Sequence, residues 1–332
     1  MPYALSFLDK SPIHEQESSH LALAGTLSLA RKAEELGFKR FWVAEHHNTA
    51  KLASSSPEVL IGFLLAQTKH IRIGSGGVML QHYSAYKVAE NFNLLAALAP
   101  GRVDLGVGKA PGGLPLSTRA LQGAYDPVRK PSFEVQLREL AGFLQHDKSG
   151  KDGEDSLAAF PVPDLPPQGF LLGASIESAK LAASLGWGFV YAGHINGDEA
   201  AISEAISAYR EAGGTTALLA ASVVTAPTGQ AIDLSHEIRR FRVEIEGGQG
   251  VNVGSEAQAL EYVRQAGAIQ YRIEERTPLL IQGSPETVHA TFHRLHTAFG
   301  VEEFIIDCPA TAPAQRLQTI ELLGRARASL AA

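Results

Sequence analysis

Apolar residues recur along this 332-residue chain in two alternating rhythms. A short, nearly continuous apolar run ends in glycine or polar residues. A longer stretch with apolar positions three and four apart then follows. Ala4 to Leu8 is the first such run, and the helix after it carries Leu23, Leu27, Ala30 and Ala33 on one face, ending at Leu36-Gly37. Phe41 to Ala44 predicts a second strand, and Pro57 opens a helix reaching about Thr68. Further strands are predicted at Ile71–Ile73, Val103–Val107, Phe170–Gly173, Phe189–Tyr191, Ala217–Thr225 and Phe304–Ile306. Helices are predicted at Lys87–Leu98, Pro131–Leu144, from Ala174 to Leu185, at Asp198–Ala212, from Ser284 to Phe299 and at Ala314–Leu330. From Pro111 to about Arg129 the chain reads as loop, and Asp147 to Asp155 (DKSGKDGED) reads as a mobile surface excursion.

Strand and helix alternate too regularly for separate α and β halves. Eight units with one long interruption predict an α/β fold, a TIM (β/α)8 barrel, in preference to a doubly wound sheet. The expectation is a single domain over residues 1–332, with an insertion at 227–280 between strands seven and eight. That insertion reads as helical pieces, such as Glu256 to Gln265, among GGQG-type loops. It leaves the carboxyl face of the barrel, so it is expected to serve as a mobile cover, the alternative being an ordered outer subdomain with no part in catalysis.

The densest patterning lies between Ile71 and Pro111. Ile71 and Ile73 run into Gly74-Ser75-Gly76-Gly77, read as a tight loop, and Val103, Leu105 and Val107 run through Gly106 and Gly108. Two neighbouring strands whose carboxyl ends dissolve into glycine leave room for a flat ligand against the backbone. The spacing is neither GxGxxG nor a P-loop, since Gly106-Val107-Gly108-Lys109 has no Ser or Thr after its lysine.

Composition narrows the partners. Hydrophobic residues make up 45% and charged residues 19%, so a large core is available and disorder is disfavoured. The net charge of -6 is spread out with no basic block, which argues against nucleic acid. One cysteine, Cys308, rules out an internal disulfide and suits a reducing cytoplasm. No stretch has the roughly 18 apolar residues of a spanning helix, and the first ten residues do not read as a signal peptide. A cytoplasmic protein with no membrane contact is expected.

Glu45-His46-His47, at the end of the second strand, is the most chemical cluster. It lacks the HExxH spacing, and neighbours on a strand end point in opposite directions, so no metal site is expected. Two readings stand: one histidine bonds within the barrel wall and the other sits on the rim, or one imidazole acts as acid or base at the barrel mouth. Ser175 and Ser178 fall in the first turn of the helix after strand five. Hydroxyls there ordinarily cap the helix, and the same geometry makes an anion site from free amides and the helix dipole. Lys109 is a cation beside the glycines, or a surface lysine. Cys308 reads as a small buried residue rather than a nucleophile.

Three blocks together, RFWVAEHHN, IRIGSGGVML through PGRVDLGVGKAPGG, and GAS-ES-KLAASLGWGFVYAGHI, resemble the bacterial luciferase-like flavin monooxygenases. The tail QGSPETV…GVEEFIIDCP fits as well, so the resemblance covers nearly the whole chain. It implies a TIM barrel binding FMN at the carboxyl ends of its strands, often as a homodimer. His46 falls on a histidine assisting proton transfer near the flavin, and Gly76-Gly77 on a non-prolyl cis peptide beneath the isoalloxazine ring. Ser175 and Ser178 fall on phosphate-binding positions. Gly108 stands where true luciferases carry a reactive cysteine. Lys109 stands where an arginine is usual, keeping the charge without the bidentate fork. The activity implied is a monooxygenase that takes reduced FMN from a separate flavin reductase and, with O2, oxygenates a small-molecule substrate. Two alternatives stay open: hydride transfer with a deazaflavin, and a flavin-binding protein without turnover.

Overall fold

Each barrel unit begins with a run of apolar residues and ends where a serine, aspartate or proline starts a helix. The computed structural model describes residues 2–123, 126, 130–145, 157–230, 238–248 and 250–331. The DKSGKDGED excursion lies outside these residues. The first half of the barrel comprises β1 (Ala4–Asp9), α1 (Ser19–Glu35), β2 (Arg40–Val43), α2 (Pro57–Gln67), β3 (Arg72–Met79), α3 (Ala85–Leu98) and β4 (Val103–Gly108). After α4 (Pro115–Leu121) and α5 (Phe133–Leu144) come β5 (Gln168–Gly173), α6 (Ile176–Ser184), β6 (Gly188–Ala192), α7 (Glu199–Glu211) and β7 (Ala217–Thr225). The hydroxyls of Ser18, Ser84, Ser132 and Ser175 each accept a backbone amide in the first turn of α1, α3, α5 and α6. Those contacts satisfy donors that a helix start leaves unpaired.

The insertion holds β8 (Arg240–Ile245), β9 (Val251–Val253), α8 (Glu256–Ala266) and β10 (Tyr271–Arg276). The chain then runs through β11 (Leu280–Gly283), α9 (Pro285–Phe299), β12 (Glu303–Asp307) and α10 (Pro313–Ala331). β12 pairs with β1, the order continues β1 to β6, and β7 pairs with both β6 and β12. Eight parallel strands therefore close into the expected TIM barrel. β11 adds a short parallel strand beside the end of β7, Leu280 opposite Ser222.

Strand alternation sorts the side chains into two cores. Residues such as Phe7, Phe41, Ile73, Leu105, Phe189 and Phe304 face outward and are buried under the helices. Leu8, Trp42, Phe170, Val190, Leu218 and Ile305 point inward and fill the lumen. Below that layer Arg40, Asp104 and Glu303 form a buried ion network, with Arg40 Nε 2.7 Å from Glu303 and Nη1 3.0 Å from Asp104. The lumen is thus plugged from its floor to its middle, leaving the carboxyl end for chemistry.

Three sequence expectations need correction. Gly74 to Gly77 is not a loop: β3 runs through it, because glycines with no side chain let β3 and β4 pair closely. The stretch after Pro111 contains α4, started by Pro115. In the insertion the helix expected at Glu256 to Gln265 is present as α8, but strands stand where loops were expected. β10, β8 and β9 form an antiparallel sheet, and Phe241, Val243 and Val251 pack on Ala259 and Val263 of α8 in a small separate core. Its strands alternate apolar with arginine and glutamate, a weak signal in short segments. No helix among the described residues is long and apolar enough to cross a membrane.

Candidate active site

Continuing the inward alternation of each strand by one step leads from the apolar layer to the mouth. On β2 the series Trp42, Ala44 ends at His46, on β1 Leu8 leads to Lys10, and on β12 Ile305 leads to Asp307. On β6 Val190 and Ala192 lead to His194. Asp307 is fully buried, and the Lys10 ammonium lies 2.7 Å from one of its carboxylate oxygens and donates to the other at 2.9 Å. The 2.7 Å approach is an ion pair without hydrogen-bond alignment, since that oxygen otherwise has no partner. Arg240, reaching over from β8, comes within 3.9 Å of the same carboxylate.

His46 keeps some exposure as a residue, but its Nδ1 is out of solvent and has no hydrogen-bond partner. Burial, helped by the Lys10 charge, pushes its imidazole down to about 4. His194 behaves alike: its Nδ1 is buried and unpartnered, and burial lowers it to about 4. Both imidazoles are neutral near pH 7. Asp307 is held down at about 2, because Lys10, His194 and Arg240 outweigh the upward push of burial.

His47 points the other way. Its Nε2 lies 2.7 Å from Glu45 Oε1, and Glu45 also accepts the Tyr83 hydroxyl at 2.7 Å and the Met79 amide at 3.0 Å. Glu45 and His47 share one face of the chain and lock the wall between β2 and β3. His46 takes the opposite face.

The glycine pair lies on β3, the strand paired with β2. The Gly76–Gly77 peptide is cis, as the family resemblance implies. A Cβ on Gly76 would sit 2.6 Å from Leu8 Cδ1, and one on Gly77 2.8 Å from the Gly106 carbonyl. Gly77 has no room for a side chain against that backbone, and at Gly76 the Leu8 side chain would have to shift. Gly108 differs: a Cβ there would meet only Met79, at 3.6 Å, so this buried glycine leaves real space at the end of β4. Lys109, next to it, is exposed, and its carbonyl accepts from Gln81 at 2.8 Å.

Ser175 caps α6 and accepts the Ser178 amide at 3.3 Å, with the two hydroxyls also 3.3 Å apart. Both are half-buried at the carboxyl end of β5. Glu177 turns its carboxylate back onto its own amide and onto Ser175, and these bonds hold its pKa below the usual glutamate value. The first turn of α6 therefore already attracts one anion.

The insertion and the segment after it contact loops of the barrel. The Leu116 amide donates to the Gln265 side chain at 2.9 Å, and Arg119 donates to the Gln265 carbonyl at 3.1 Å. The Gly197 amide donates to Thr277, and that of Leu279 to Gly193, both at 2.8 Å. Lys10, His194, Arg240 and Asp307 were not singled out from the sequence as site residues. The usable signal was strand parity: each lies an even step beyond an inward apolar residue or, for Arg240, in the insertion expected to cover the mouth. Among the described residues no cluster of His, Cys, Asp and Glu has the arrangement of a metal site.

The geometry has counterparts in known proteins. Residues 1–302 match the family model of the luciferase-like monooxygenases. The chain is 44% identical over 329 residues to an N-acetyl-S-alkylcysteine monooxygenase of Bacillus subtilis, covering 97% of each chain. It is 39% identical over 211 residues to a luciferase-like monooxygenase of Escherichia coli, spanning 62% of this chain and 60% of that one. Among solved structures, apo-MsnO8 superposes with a TM-score of 0.75 at 28% identity, over 98% of each chain. The oxygenating constituent of 3,6-diketocamphane monooxygenase from Pseudomonas putida, in complex with FMN, superposes with a TM-score of 0.66 at 18% identity over 97% of each chain. The match over most of its length shows that the chain belongs to the luciferase-like monooxygenase family.

Proposed function

We propose that this enzyme takes reduced FMN from a separate flavin reductase and uses O2 to oxygenate a small thioether-bearing carboxylic acid of the N-acylated S-alkyl amino acid kind. The carrying observation is the barrel mouth. There the carboxyl ends of the strands gather a buried, unpartnered imidazole nitrogen of His46 after β2, the glycine pair Gly76-Gly77 on the adjoining β3, and a helix start at Ser175 and Ser178 after β5. The substrate class rests on the name of the Bacillus subtilis relative.

The residues fit a flavin mononucleotide. The Gly76-Gly77 segment offers flat backbone where any Cβ would collide, and Gly108 adds room beside it. The hydroxyls of Ser175 and Ser178 and the first-turn amides of α6 would hold the phosphate, with Lys109 near the rim. When bound, the reduced flavin would supply two electrons for oxygen transfer, one oxygen atom going to the substrate and the other leaving as water. His46, neutral near pH 7, is suited to hold or pass a proton at Nδ1 rather than to neutralise a charge. The insertion keeps water from the mouth and serves as its cover.

The test is turnover with N-acetyl-S-methylcysteine under isotopically heavy O2, with FMN and a reductase or with a reduced deazaflavin. One heavy oxygen in the product, with FMN only, is expected. Substrate oxidation without oxygen incorporation, supported by deazaflavin alone, would favour hydride transfer. Flavin binding with no product from any candidate thioether would favour a binding protein.

A further inference from the structure

Besides His46, two side chains of the mouth keep a buried polar atom with no hydrogen-bond partner: His194 at Nδ1 and Ser222 at Oγ. Ser222 is fully buried and continues the inward series Leu218, Ala220 along β7. In the strand ladder it stands opposite Asp307 of β12. Lys10 takes that carboxylate, at 2.7 Å from one oxygen and 2.9 Å from the other, and the Ser222 hydroxyl is not bonded to it. The backbone seats His194 against the same strand. Its amide donates to the Ala220 carbonyl at 3.1 Å, two residues before Ser222. Gly193 permits that approach, because a Cβ there would lie 2.5 Å from the same carbonyl. Leu279 ties the two segments together: its carbonyl accepts the Ser222 amide at 2.9 Å, and its amide donates to the Gly193 carbonyl at 2.8 Å. Buried polar groups are nearly always paired, so a hydroxyl and an imidazole nitrogen held this firmly call for a partner that the polypeptide does not supply.

We infer that Ser222 and His194 form the subsite that recognises the amide of the substrate's N-acyl group. A secondary amide carries one N–H donor and one carbonyl acceptor. A hydroxyl gives or takes a hydrogen bond by rotating, and a neutral imidazole nitrogen gives or takes one according to its tautomer. The pair therefore matches an amide in either orientation. It brings no charge of its own, since burial keeps the His194 imidazole neutral near pH 7 and Lys10 already holds the neighbouring Asp307. This assignment rests on the proposed N-acylated substrate and adds the residues that select it. β7 is four strands from β3 in either direction round the barrel. The subsite is thus placed opposite the glycine pair proposed to carry the flavin, and an acyl group anchored on β7 leaves the thioether to lie between them.

The experiment compares N-acetyl-S-methylcysteine with 3-(methylthio)propanoic acid, which keeps the thioether and the carboxylate and lacks the acylamino group. Both are tried with the wild type, Ser222→Ala, His194→Leu and His194→Asn. Equilibrium binding to the FMN-loaded protein, KM, kcat, FMN affinity and the thermal midpoint are all measured. The wild type is expected to prefer the acetylated compound by about tenfold or more. Ser222→Ala is expected to raise KM for that compound about threefold to tenfold, the worth of one uncharged hydrogen bond, with kcat changed less. Its KM for 3-(methylthio)propanoic acid and its FMN affinity should not move. Its thermal midpoint without substrate should be no lower than that of the wild type, because the hydroxyl removed had no partner, and the acetylated compound should raise that midpoint less. His194→Leu should reduce the preference in the same way, and His194→Asn, which keeps an amide near the position of Nδ1, should restore part of it. Equal handling of the two compounds by the wild type overturns the subsite while leaving the monooxygenase reading intact. A KM in Ser222→Ala that is unchanged, or raised equally for both compounds, overturns it as well. A loss of FMN affinity in Ser222→Ala overturns it too, because the hydroxyl would then serve the flavin. If the acetylated compound binds through Ser222 yet gains no oxygen, the subsite stands and the proposed reaction falls. If neither compound binds, both fall.

Discussion

Ser175 and Ser178 show how one local geometry serves two ends. As a cap, Ser175 satisfies the Ser178 amide. As an anion site, the same turn presents hydroxyls and a positive helix end to the mouth. The Glu177 carboxylate already sits on that turn, so a phosphate binding there must displace or tolerate it. Replacing both serines by alanine should weaken FMN binding by about 1–3 kcal/mol, the range for hydrogen bonds to a charged group. Glu177→Gln should tighten it, because a competing negative charge is gone. Fluorescence titration of FMN measures both, and an unchanged affinity in the serine variant would place the phosphate elsewhere. His46 and His47 teach a related lesson. They are identical in type and adjacent in sequence. Only the strand face separates a wall residue bonded to Glu45 from an imidazole at the mouth.

At the scale of elements, α2 and α3 carry apolar residues on both faces. Ile61, Leu64, Phe92 and Leu95 pack on the barrel. Val59, Phe63, Leu94 and Leu98 remain exposed, by 72%, 51%, 51% and 71%. Between the two helices runs a groove of about 440 Å³ lined by Gly62, Leu65, Leu95 and Leu98. Leu64, Phe92 and Leu95 thus belong to the barrel itself. Phe63 and Leu94 do not. We propose that a second copy of the chain covers this face. Sedimentation at micromolar concentration should show twice the 35.4 kDa chain. Phe63→Glu with Leu94→Glu should return it to one copy while circular dichroism stays native. A wild type that sediments at 35.4 kDa would remove the dimer.

Across the whole molecule, the buried histidines make acid stability a matter of protons refused by the native state. His46 and His194 are depressed to about 4, and His82 and His289 are also lowered, burial leading in each case. An unfolded histidine titrates near 6.5, so below that pH the unfolded chain binds protons that the native barrel does not. Stability is then full above about pH 6.5 and falls toward pH 4. The slope approaches about 1.4 kcal/mol per pH unit for each histidine involved. Asp307 and Glu303 are depressed carboxylates, so their contribution is present above the ordinary carboxylate range and is lost only at lower pH. Urea unfolding at pH 7.5, 6 and 5 should show falling stability, and His194→Asn should flatten that fall. A curve level across this window would mean the imidazoles are protonated in the folded protein.

The periodicity of apolar runs by itself determined the barrel, its strand count and the place of the insertion. These depend on local alternation and on burial of one face per element, both of which a sequence displays. It also located the glycine-lined strand pair, since small residues at a strand end are visible without any partner. What it did not contain was which side chains meet. Lys10 and Asp307 are 297 positions apart and touch only because β12 closes on β1. Arg240 joins them because three short antiparallel strands, too weakly patterned to read, fold into a platform beside the mouth. Neutral histidines are likewise a product of closure, because an imidazole is moved from its ordinary value by the burial and charges that distant segments bring to it. Local pattern chose the architecture, and ring closure composed the site.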